Sequence, residues 1–376
     1  MPRVLFVAPH RPDRSPSQRY RFEKFVPYWK SKGWEFTSAW VVDEEDDRHL
    51  YARGALLPKA KLLLKSFRRR RLQVQLAKGH DLIFLQRETF MTGGTRYEQL
   101  LKATGVPLVY DIDDAIWLMN FSEGNRYLRW LKEPRKAERI LRLADHVIAG
   151  NSFLLHHALK FNPHAEMIPT VVDTNEYVPL ERERKGPGPL VIGWTGSRTT
   201  IPHLERALPA LRQLARQGEV PFILRVVSDV PFTAEGIHVE HRPWRSATEV
   251  QDLQDMDIGI MPLEENDWSK GKCGFKGLQY MALGKPVVLQ DHGANREIIA
   301  HGTNGFLASS QQQWTEFLSR LLQDADLRRR IGNAARKTVE ERYSVNAWKD
   351  RYLELFNELI DRNTHGNHNR PQAHHP

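Results

Sequence analysis

The chain has 376 residues, enough for two domains of ordinary size, each with its own hydrophobic core. Its 55 Lys and Arg outnumber its 46 Asp and Glu, and the formal charge of +9 favours an anionic partner such as nucleotide phosphate, nucleic acid or acidic lipid. The single cysteine, Cys273, excludes an intrachain disulfide and with it a disulfide-rich domain or a zinc–cysteine cluster. No stretch approaches the roughly 20 apolar residues of a membrane span, so we expect a cytoplasmic protein, in solution or peripheral at the inner face of the membrane.

Short apolar runs in the first half of the sequence predict strands that are buried on both faces, as in a parallel sheet. The runs are "RVLFVA" (3–8), "DLIFLQ" (81–86), "PLVYDI" (107–112) and "DHVIAG" (145–150). After the first run, the apolar spacing in "SQRYRFEKFVPYWKSKG" predicts a helix that stops at Gly33. The first half therefore alternates strand and helix.

The segment 58–79, "PKAKLLLKSFRRRRLQVQLAKG", contains eight Lys or Arg and no acid. On a helix this composition gives a basic face beside an apolar one. Such a pattern is typical of an element that lies on an anionic membrane or contacts a polyanion. The alternative is a core helix with a solvated basic face.

The second half repeats the alternation and predicts a second domain. Its apolar runs are "PLVIGW" (189–194), "PFILRVV" (221–227), "MDIGIMPL" (256–263), "KPVVLQ" (285–290) and "NGFLAS" (304–309). The polar, Pro- and Gly-rich "VPLERERKGPGP" (178–189) is a predicted linker, with a boundary near residue 185. We predict an α/β protein with doubly wound parallel-sheet domains at 1–185 and 186–343, an amphipathic helix at 344–362 and a disordered tail at 363–376.

Loops that follow the strands are the expected ligand sites, because open parallel sheets bind ligands at their carboxyl ends. The first such loop of the second domain is "TGSRTT" (195–200), which leads into a helix. Backbone N–H groups at Thr195, Gly196 and Ser197 could meet a phosphate there, and Arg198 could add a bidentate contact. Helix capping by Ser and Thr is the alternative reading of this loop.

A second loop carries a denser signal. Around Gly274 the sequence "KGKCGFKG" (270–277) places three lysines and three glycines at the start of an apolar helix. Lys276 and Gln279, three residues apart, share one face, while Phe275 lies on the core face. With Lys272 in the preceding loop, the pattern predicts a cradle for an anion at the helix start. A solvated pair of surface lysines is the alternative.

Several segments in order resemble retaining glycosyltransferases of family 4, which have the GT-B fold. They are "PSQRYRFEKFVPYWKSKGWEF", "VYDIDDAIWL" (109–118), "ADHVIAGNSFL" (144–154), "GWTGSRTT", "MDIGIMPL" and "KCGFKGLQYMALGKPVV" followed by "HGANREIIAHGTNGFLA". The resemblance implies two Rossmann-like domains facing a central cleft, and a last helix that crosses back onto the first domain. It also implies a nucleoside-diphosphate-sugar donor, a glycan or lipid-linked acceptor of cell-surface polysaccharide biosynthesis, and no cofactor or metal.

The resemblance assigns donor contacts to the second domain. Lys276, Lys272, Arg198 and residues 195–197 would stabilise the charge that builds on the departing pyrophosphate. The remaining donor contacts are Gly274 and Phe275 at the helix start, Trp244 against the base, Gly293 over the pyrophosphate and Glu297 near the sugar.

Acceptor contacts are expected in the first domain. Asp113 or Asp114 of "DIDD" (111–114) would orient the attacking hydroxyl, or else cap a helix. Arg19, after the first strand, is a candidate for an acceptor phosphate, and His10 lies nearby in sequence. We do not interpret "DIDD" as a metal site.

One departure concerns two glutamates, with seven residues between them, that many family members carry around this loop. Here these positions hold Gly271 and Gln279. The amide of Gln279 can still hold ribose hydroxyls, and Gln279→Glu is expected to be tolerated. The candidates to replace the first glutamate are Glu264, Glu265 and Asp267.

Two other functions remain open at this stage. A nucleotide-sugar epimerase of the same fold would need no acceptor and would form an epimer from the donor alone. A non-catalytic polyanion binder would bind nucleic acid in a strongly salt-dependent way. The sequence contains no aromatic-studded basic sheet or zinc module, so nucleic acid is not an expected partner.

Overall fold

The structure is a computed structural model, and it describes residues 1–50, 56–90, 93–118, 133, 135–180 and 188–368. Its contacts divide the chain into two units. The first comprises Met1–Pro169 together with Trp348–Pro376, and the second comprises Thr170–Ala347.

The first unit is built on a six-stranded parallel sheet in the order β2-β1-β3-β4-β5-β6. The strands are β1 (Arg3–Val7), β2 (Glu35–Ala39), β3 (Leu82–Gln86), β4 (Leu108–Ile112), β5 (His146–Ala149) and β6 (Ala165–Met167). Four of them lie where continuous apolar runs predict strands, and β3 and β4 are buried along their whole length. The strand order reverses between β1 and β3, which marks their carboxyl ends as the expected ligand edge.

Helices connect these strands. They are α1 (Pro16–Arg21), α2 (Val26–Ser31), α3 (Glu44–Leu50), α4 (Leu56–Ala77), α5 (Arg96–Lys102), α6 (Lys136–Leu143) and α7 (Ser152–Leu159). The single helix predicted up to Gly33 is interrupted, because Phe22 leaves helical geometry and Pro27 starts a new helix. A 3-10 turn at Glu23–Phe25 joins the two pieces, and Gly33 follows α2 with φ +82°.

The second unit has its own six-stranded parallel sheet, in the order β12-β11-β10-β7-β8-β9. The strands are β7 (Leu190–Gly196), β8 (Phe222–Ser228), β9 (Val239–Pro243), β10 (Ile258–Met261), β11 (Val287–Gln290) and β12 (Phe306–Ala308). The reversal falls between β7 and β10, so the loops after these two strands lie at the ligand edge. The predicted pair of parallel α/β sheets is confirmed.

The second unit also carries most of the remaining helices. They are α8 (Ile201–Glu205), α9 (Leu208–Gln217), α10 (Glu249–Gln254), α11 (Asp267–Lys270), α12 (Phe275–Ala282), α13 (Asn295–Ile298), α14 (Gln311–Gln323), α15 (Ala325–Arg342) and α16 (Val345–His368). Helix α16 continues past residue 347 into the first unit. There Trp29 donates its indole N–H to the carbonyl of Lys349 at 3.0 Å, and Tyr352 donates to the carbonyl of Arg21.

The division between the units falls at 169/170, before the boundary expected near 185. Residues from Thr170 onward join the second unit because Val172 exchanges backbone hydrogen bonds with Tyr343 and Val345. Tyr177 is fully buried in the same unit. Residues 181–187 of the predicted linker lie outside the described residues.

The carboxyl-terminal helix is longer than expected. Helix α16 continues to His368, so the first six residues of the tail predicted at 363–376 are helical. Thr364 supports this extension by donating its hydroxyl to the carbonyl of Ile360 at 2.9 Å. Residues 369–376 lie outside the described part of the chain.

A buried ion pair joins α1 to the sheet of the first unit. The guanidinium of Arg21 donates to both carboxylate oxygens of Asp111, with a shortest distance of 2.5 Å, and both side chains are 0% exposed. The same guanidinium donates to the carbonyl of Ile168. Asp111 therefore neutralises a charge that water cannot reach.

Helix α4 uses part of its basic sequence for structure. Arg70 is buried and donates to the carbonyls of Ala8, Ala39 and Thr89. Arg69 forms a bidentate pair with Asp43. These two arginines hold the helix against the first unit, so the predicted basic face is narrower than the composition indicates.

Candidate functional site

The start of α12 is shaped by Gly274. This residue precedes the helix with φ +67°, and a Cβ there would lie 2.3 Å from Ile298 Cδ1. Only glycine fits both conditions. Among the residues that the structure describes, the backbone N–H groups of Lys276 and Gly277 have no acceptor, as expected in the first turn of a helix. The predicted anion cradle therefore has free donors.

Lys276 connects α12 to the loop that follows β7. Its Nζ lies 3.3 Å from Thr200 Oγ1 and 4.7 Å from the ring centroid of Trp194. The structure thus brings together two segments that the sequence singled out separately. Lys272, in the loop before α12, has its Nζ 5.4 Å from the ring centroid of Trp268.

The electrostatics of this cluster favour an added anion. Burial and, as the smaller cause, the positive charge of Lys272 together lower the pKa of Lys276 to about 7. At neutral pH the lysine is therefore only partly charged. An anion placed beside Lys276 would stabilise its protonated form.

The lowered pKa predicts how stability depends on pH. An unfolded lysine keeps its proton up to a pKa of 10.5, whereas folded Lys276 loses it near 7. Between these values the unfolded chain binds more protons, so the free energy of unfolding should rise with pH by up to about 1.4 kcal/mol per unit. Urea denaturation between pH 7 and 10 should show this rise in the wild type and a smaller one in Lys276→Met.

Lys337→Met is the matched control, because Lys337 is 73% exposed on α15 of the same unit. Its pH dependence should follow the wild type. Equal slopes for wild type and Lys276→Met would contradict the assignment.

His203 belongs to the same cluster and was not singled out by the sequence. It is buried in α8, and its Nδ1 accepts the backbone N–H of Glu264 at 3.1 Å. Burial, followed by the charges of Lys272, Lys276 and Arg206, lowers its pKa to about 4. The imidazole is therefore neutral, with its proton on Nε2. A histidine in a short helix gives no sequence signal of this placement.

The loop after β7 is capped in the way the alternative reading proposed. Ser197 and Thr200 form a capping box around a 3-10 turn at Arg198–Thr200. Thr195 donates its N–H to the hydroxyl of Tyr280, and the Arg198 N–H is donated to Asp229. The backbone donors expected to meet a phosphate are thus largely occupied.

Two other features of this loop are compatible with the predicted phosphate contact. Gly196 lies under Trp194, where a Cβ would approach the indole ring to 2.3 Å. The side chain of Arg198 is exposed at this edge of the sheet. The loop can therefore contribute a cation and hydroxyl groups.

Gln279 lies inside the second unit, one turn beyond Lys276. It is 1% exposed, and its Nε2 donates to the hydroxyl of Tyr177 at 2.7 Å. Tyr177 also hydrogen bonds Glu249 Oε2 at 3.2 Å, and Trp244 donates its indole N–H to Glu249 Oε1 at 3.2 Å. Two predicted donor contacts, Gln279 and Trp244, are thus joined by Tyr177 and Glu249, which the sequence did not indicate.

The remaining candidates of the second unit lie around the same loops. Glu264 and Glu265 are exposed after β10, and Glu265 accepts from Gln290 at 2.8 Å. Asp267 pairs with Lys270. Gly293 follows β11 with φ +54°, and Glu297 lies in α13, where its carbonyl accepts from Tyr343.

In the first unit, Asp113 is paired with a residue that the sequence did not single out. Arg87 donates to Asp113 at 2.8 Å and lies 3.8 Å from Asp114. Burial alone would raise the pKa of Asp113, but Arg87, with smaller contributions from Ser17 and Arg21, lowers the net pKa. Arg87 follows β3 with φ +62°, an uncommon backbone conformation for a residue with a side chain.

The other two acceptor candidates already have partners within the chain. Arg19 is buried and lies 3.0 Å from Asp13. His10 exchanges two hydrogen bonds with Gln18 through its backbone, and burial lowers the pKa of its imidazole to about 4. Both residues lie after β1. The guanidinium of Arg19 is already paired with a carboxylate, and the imidazole of His10 is neutral at pH 7.

A known family model matches a large part of the second unit. Residues 190–324 match the family model described as "Glycosyl transferases group 1". A curated relative, "Glycosyltransferase 1 domain-containing protein 1" of Xenopus tropicalis, is 33% identical over 79 residues, or 21% of this chain. The match spans only 23% of that relative's length.

Solved structures resemble nearly the whole chain. A glycosyltransferase from Rickettsia africae has a TM-score of 0.67 at 16% identity, covering 96% of this chain and 98% of its own. Anabaena Alr3699/HepE with UDP and glucose has a TM-score of 0.66 at 16% identity, covering 95% and 100%. Sucrose-phosphate synthase from Thermosynechococcus elongatus has a TM-score of 0.68 at 14% identity, covering 96% and 100%. The expected GT-B fold is confirmed, and together with the family match it supports a glycosyltransferase.

Proposed function

We propose that this chain is a retaining GT-B glycosyltransferase that moves a sugar from a nucleoside-diphosphate sugar to a hydroxyl of a glycan or lipid-linked acceptor. We assign it to cell-surface polysaccharide biosynthesis at the cytoplasmic face of the membrane, and we propose that it needs no metal. The observation that carries the proposal is the cluster of Lys276, Lys272 and free helix N–H groups at the carboxyl edge of the second sheet.

The chemistry follows from where charge builds. When the bond between the anomeric carbon and the phosphate oxygen breaks, its electron pair stays on the departing diphosphate. Lys276 and the Gly277 N–H lie at the site where this charge would appear. Thr200 and Trp194 hold the lysine side chain in place, so the positive charge needs little reorganisation as the bond breaks.

On the acceptor side, we propose that Asp113 and Asp114 orient the attacking hydroxyl. Arg87 keeps Asp113 ionised, so its carboxylate can accept a hydrogen bond from that hydroxyl. The new bond forms between the acceptor oxygen and the anomeric carbon. The proton of the acceptor moves to the departing phosphate oxygen, which balances the transfer.

The proposal is tested by supplying donors to the purified protein. Alr3699/HepE was solved with UDP and with UDP-glucose, so UDP-sugars are the first donors to try, followed by GDP- and ADP-sugars. A bound donor at about 100 times its Kd should add roughly 2.7 kcal/mol of stability in a thermal-shift screen. Transfer to a glycan acceptor, followed by NMR of the anomeric proton, should show retained configuration. An inverted product, or an epimer formed from the donor alone, would refute the mechanism.

We also propose that α4 rests on anionic lipid. Its outer side, which we call the α4 face, exposes Leu57, Lys61, Leu64, Arg68, Arg71 and Leu72 on successive helical turns. The three leucines are 85%, 64% and 66% exposed. Apolar side chains flanked by basic ones match the boundary between acyl chains and anionic headgroups. No helix in the described part of the chain is long and apolar enough to cross a membrane.

The α4 face predicts a change in vesicle binding. Each basic residue near such a surface contributes about 1 kcal/mol, so Lys61→Gln, Arg68→Gln and Arg71→Gln together should weaken binding roughly 100-fold. Sedimentation with vesicles of phosphatidylglycerol and phosphatidylcholine measures it. Arg69 and Arg70 are left unchanged, because Arg69 is paired with Asp43 and Arg70 is buried.

Gln substitutions at Arg329, Arg330 and Lys337 on α15 give a control with the same loss of charge on an exposed helix. This control should bind vesicles nearly as well as the wild type. Equal loss in both triple variants would show a dependence on net charge alone and would refute the α4 face.

A further inference from the structure

A chain of four side chains runs through the second unit from Trp244 to Gln279. Trp244 donates to Glu249, Tyr177 bridges Glu249 and Gln279, and the three hydrogen bonds measure 3.2, 3.2 and 2.7 Å. Tyr177, Gln279 and Glu249 are 0%, 1% and 5% exposed, so water cannot substitute for a lost partner.

The direction of each hydrogen bond is fixed by chemistry. An indole N–H can only donate and a carboxylate can only accept, so Glu249 takes the hydrogen of the Tyr177 hydroxyl. The oxygen of that hydroxyl can then only accept from Gln279, which requires the amide nitrogen to point toward Tyr177. The amide oxygen of Gln279 points away, and among the described residues it has no donor.

We infer that Glu249, acting through Tyr177, is a positioning residue that holds Gln279 as a hydrogen-bond acceptor for the bound ligand. The inference rests on the proposed function, because a nucleoside diphosphate with its charged groups at Lys276 carries hydroxyl donors that can reach the next helical turn. Glu249 and Tyr177 need not touch that ligand.

The same geometry explains why a glutamine occupies position 279. A glutamate there would place a second carboxylate against the Tyr177 hydroxyl, which has only one hydrogen to give. Only one of the two buried carboxylates could then accept from Tyr177, and the two negative charges would repel each other. The structure therefore argues against the expectation that Gln279→Glu is tolerated, and it couples residue 279 to residue 249.

Exchanging the two residue types should restore the chain with its direction reversed. In the double variant Glu249→Gln, Gln279→Glu, the amide at 249 donates to Tyr177 and accepts from Trp244. The Tyr177 hydroxyl then donates to the new carboxylate at 279. All four groups are satisfied again, the net charge is unchanged, and an acceptor oxygen still faces the ligand.

The experiment compares wild type, both single variants and the double variant by thermal unfolding and by calorimetric titration with UDP, GDP and ADP. We expect Gln279→Glu to lower the Tm by roughly 5 °C and to weaken binding of the preferred diphosphate about 10- to 100-fold. Glu249→Gln should weaken binding about 10-fold with a smaller change in Tm, because Gln279 then turns its amide nitrogen toward the ligand. The double variant should recover most of both losses.

Glu219 and Gln323 supply the matched control. They form a hydrogen bond of the same type on the exposed surface of the second unit. The single variants Glu219→Gln and Gln323→Glu, and their combination, should change neither Tm nor affinity appreciably.

Two outcomes separate the inference from the proposed function. If Tm losses at 249 and 279 simply add, the coupling is absent and the inference is refuted whether or not a nucleotide binds. If the wild type binds none of the three diphosphates, the proposed function and the ligand half of the inference are refuted, while recovery of Tm in the double variant still establishes the coupling.

Discussion

Lys276→Ala should lower turnover by roughly 10² to 10³, the range found when one preorganised donor to a developing charge is removed. The side chain contacts Thr200 and Trp194 at the amino-terminal end of α12, where a departing diphosphate would gain its charge. Because that contact strengthens as the bond breaks, the loss should appear in kcat more than in KM.

The same substitution should not unfold the protein. Burial disfavours the charged form of Lys276 in the free protein, so removing the lysine relieves an unfavourable charge. Steady-state kinetics should therefore be paired with thermal unfolding, with Lys337→Ala as the exposed control. Turnover near that of the wild type would show that the charge of Lys276 does not assist the transfer.

Asp111→Ala should destabilise the first unit by about 3 to 5 kcal/mol, the cost of removing one partner of a buried ion pair. The guanidinium of Arg21 would lose its carboxylate partner and keep its bond to the carbonyl of Ile168, at a site with no exposure to water. Guanidinium chloride unfolding, monitored by tryptophan fluorescence and circular dichroism, measures this change.

Glu354→Ala is the control for this prediction, because Glu354 pairs with Arg351 on the surface and is 64% exposed. Surface pairs contribute about 0 to 1 kcal/mol, so its loss should be small. A destabilisation below about 1 kcal/mol for Asp111→Ala would mean that Arg21 finds another partner or reaches water.

The sheets could be predicted because their signal is local. A strand buried on both faces is apolar at most of its positions, and the runs at β3, β4, β7 and β11 show this composition over a few consecutive residues. The grouping of Gly274, Lys272 and Lys276 around the start of α12 was also predictable, because these residues lie close together in sequence. The break after Phe22 was not predicted, because the apolar spacing continues through it.

Other parts of the site depend on contacts between distant residues. Tyr177 meets Gln279 across 102 positions and Glu249 across 72, and no pattern in the sequence links them. Arg87 meets Asp113 only because β3 and β4 are neighbours in the sheet. Arg70 is one of four consecutive arginines, 68–71, and the other three are exposed or paired. Only the fold shows that Arg70 is buried.

The central claim is that the second unit holds a diphosphate between Lys272 and Lys276, and calorimetric titration tests it most directly. Wild type and Lys276→Met would each be titrated with UDP, GDP and ADP at pH 6.5 and pH 9. We predict that one diphosphate binds the wild type at a single site, more weakly at pH 9, because Lys276 with a pKa of about 7 must then take up a proton on binding. Lys276→Met should bind weakly at both pH values, and equal affinity and pH dependence in the two proteins would contradict the claim.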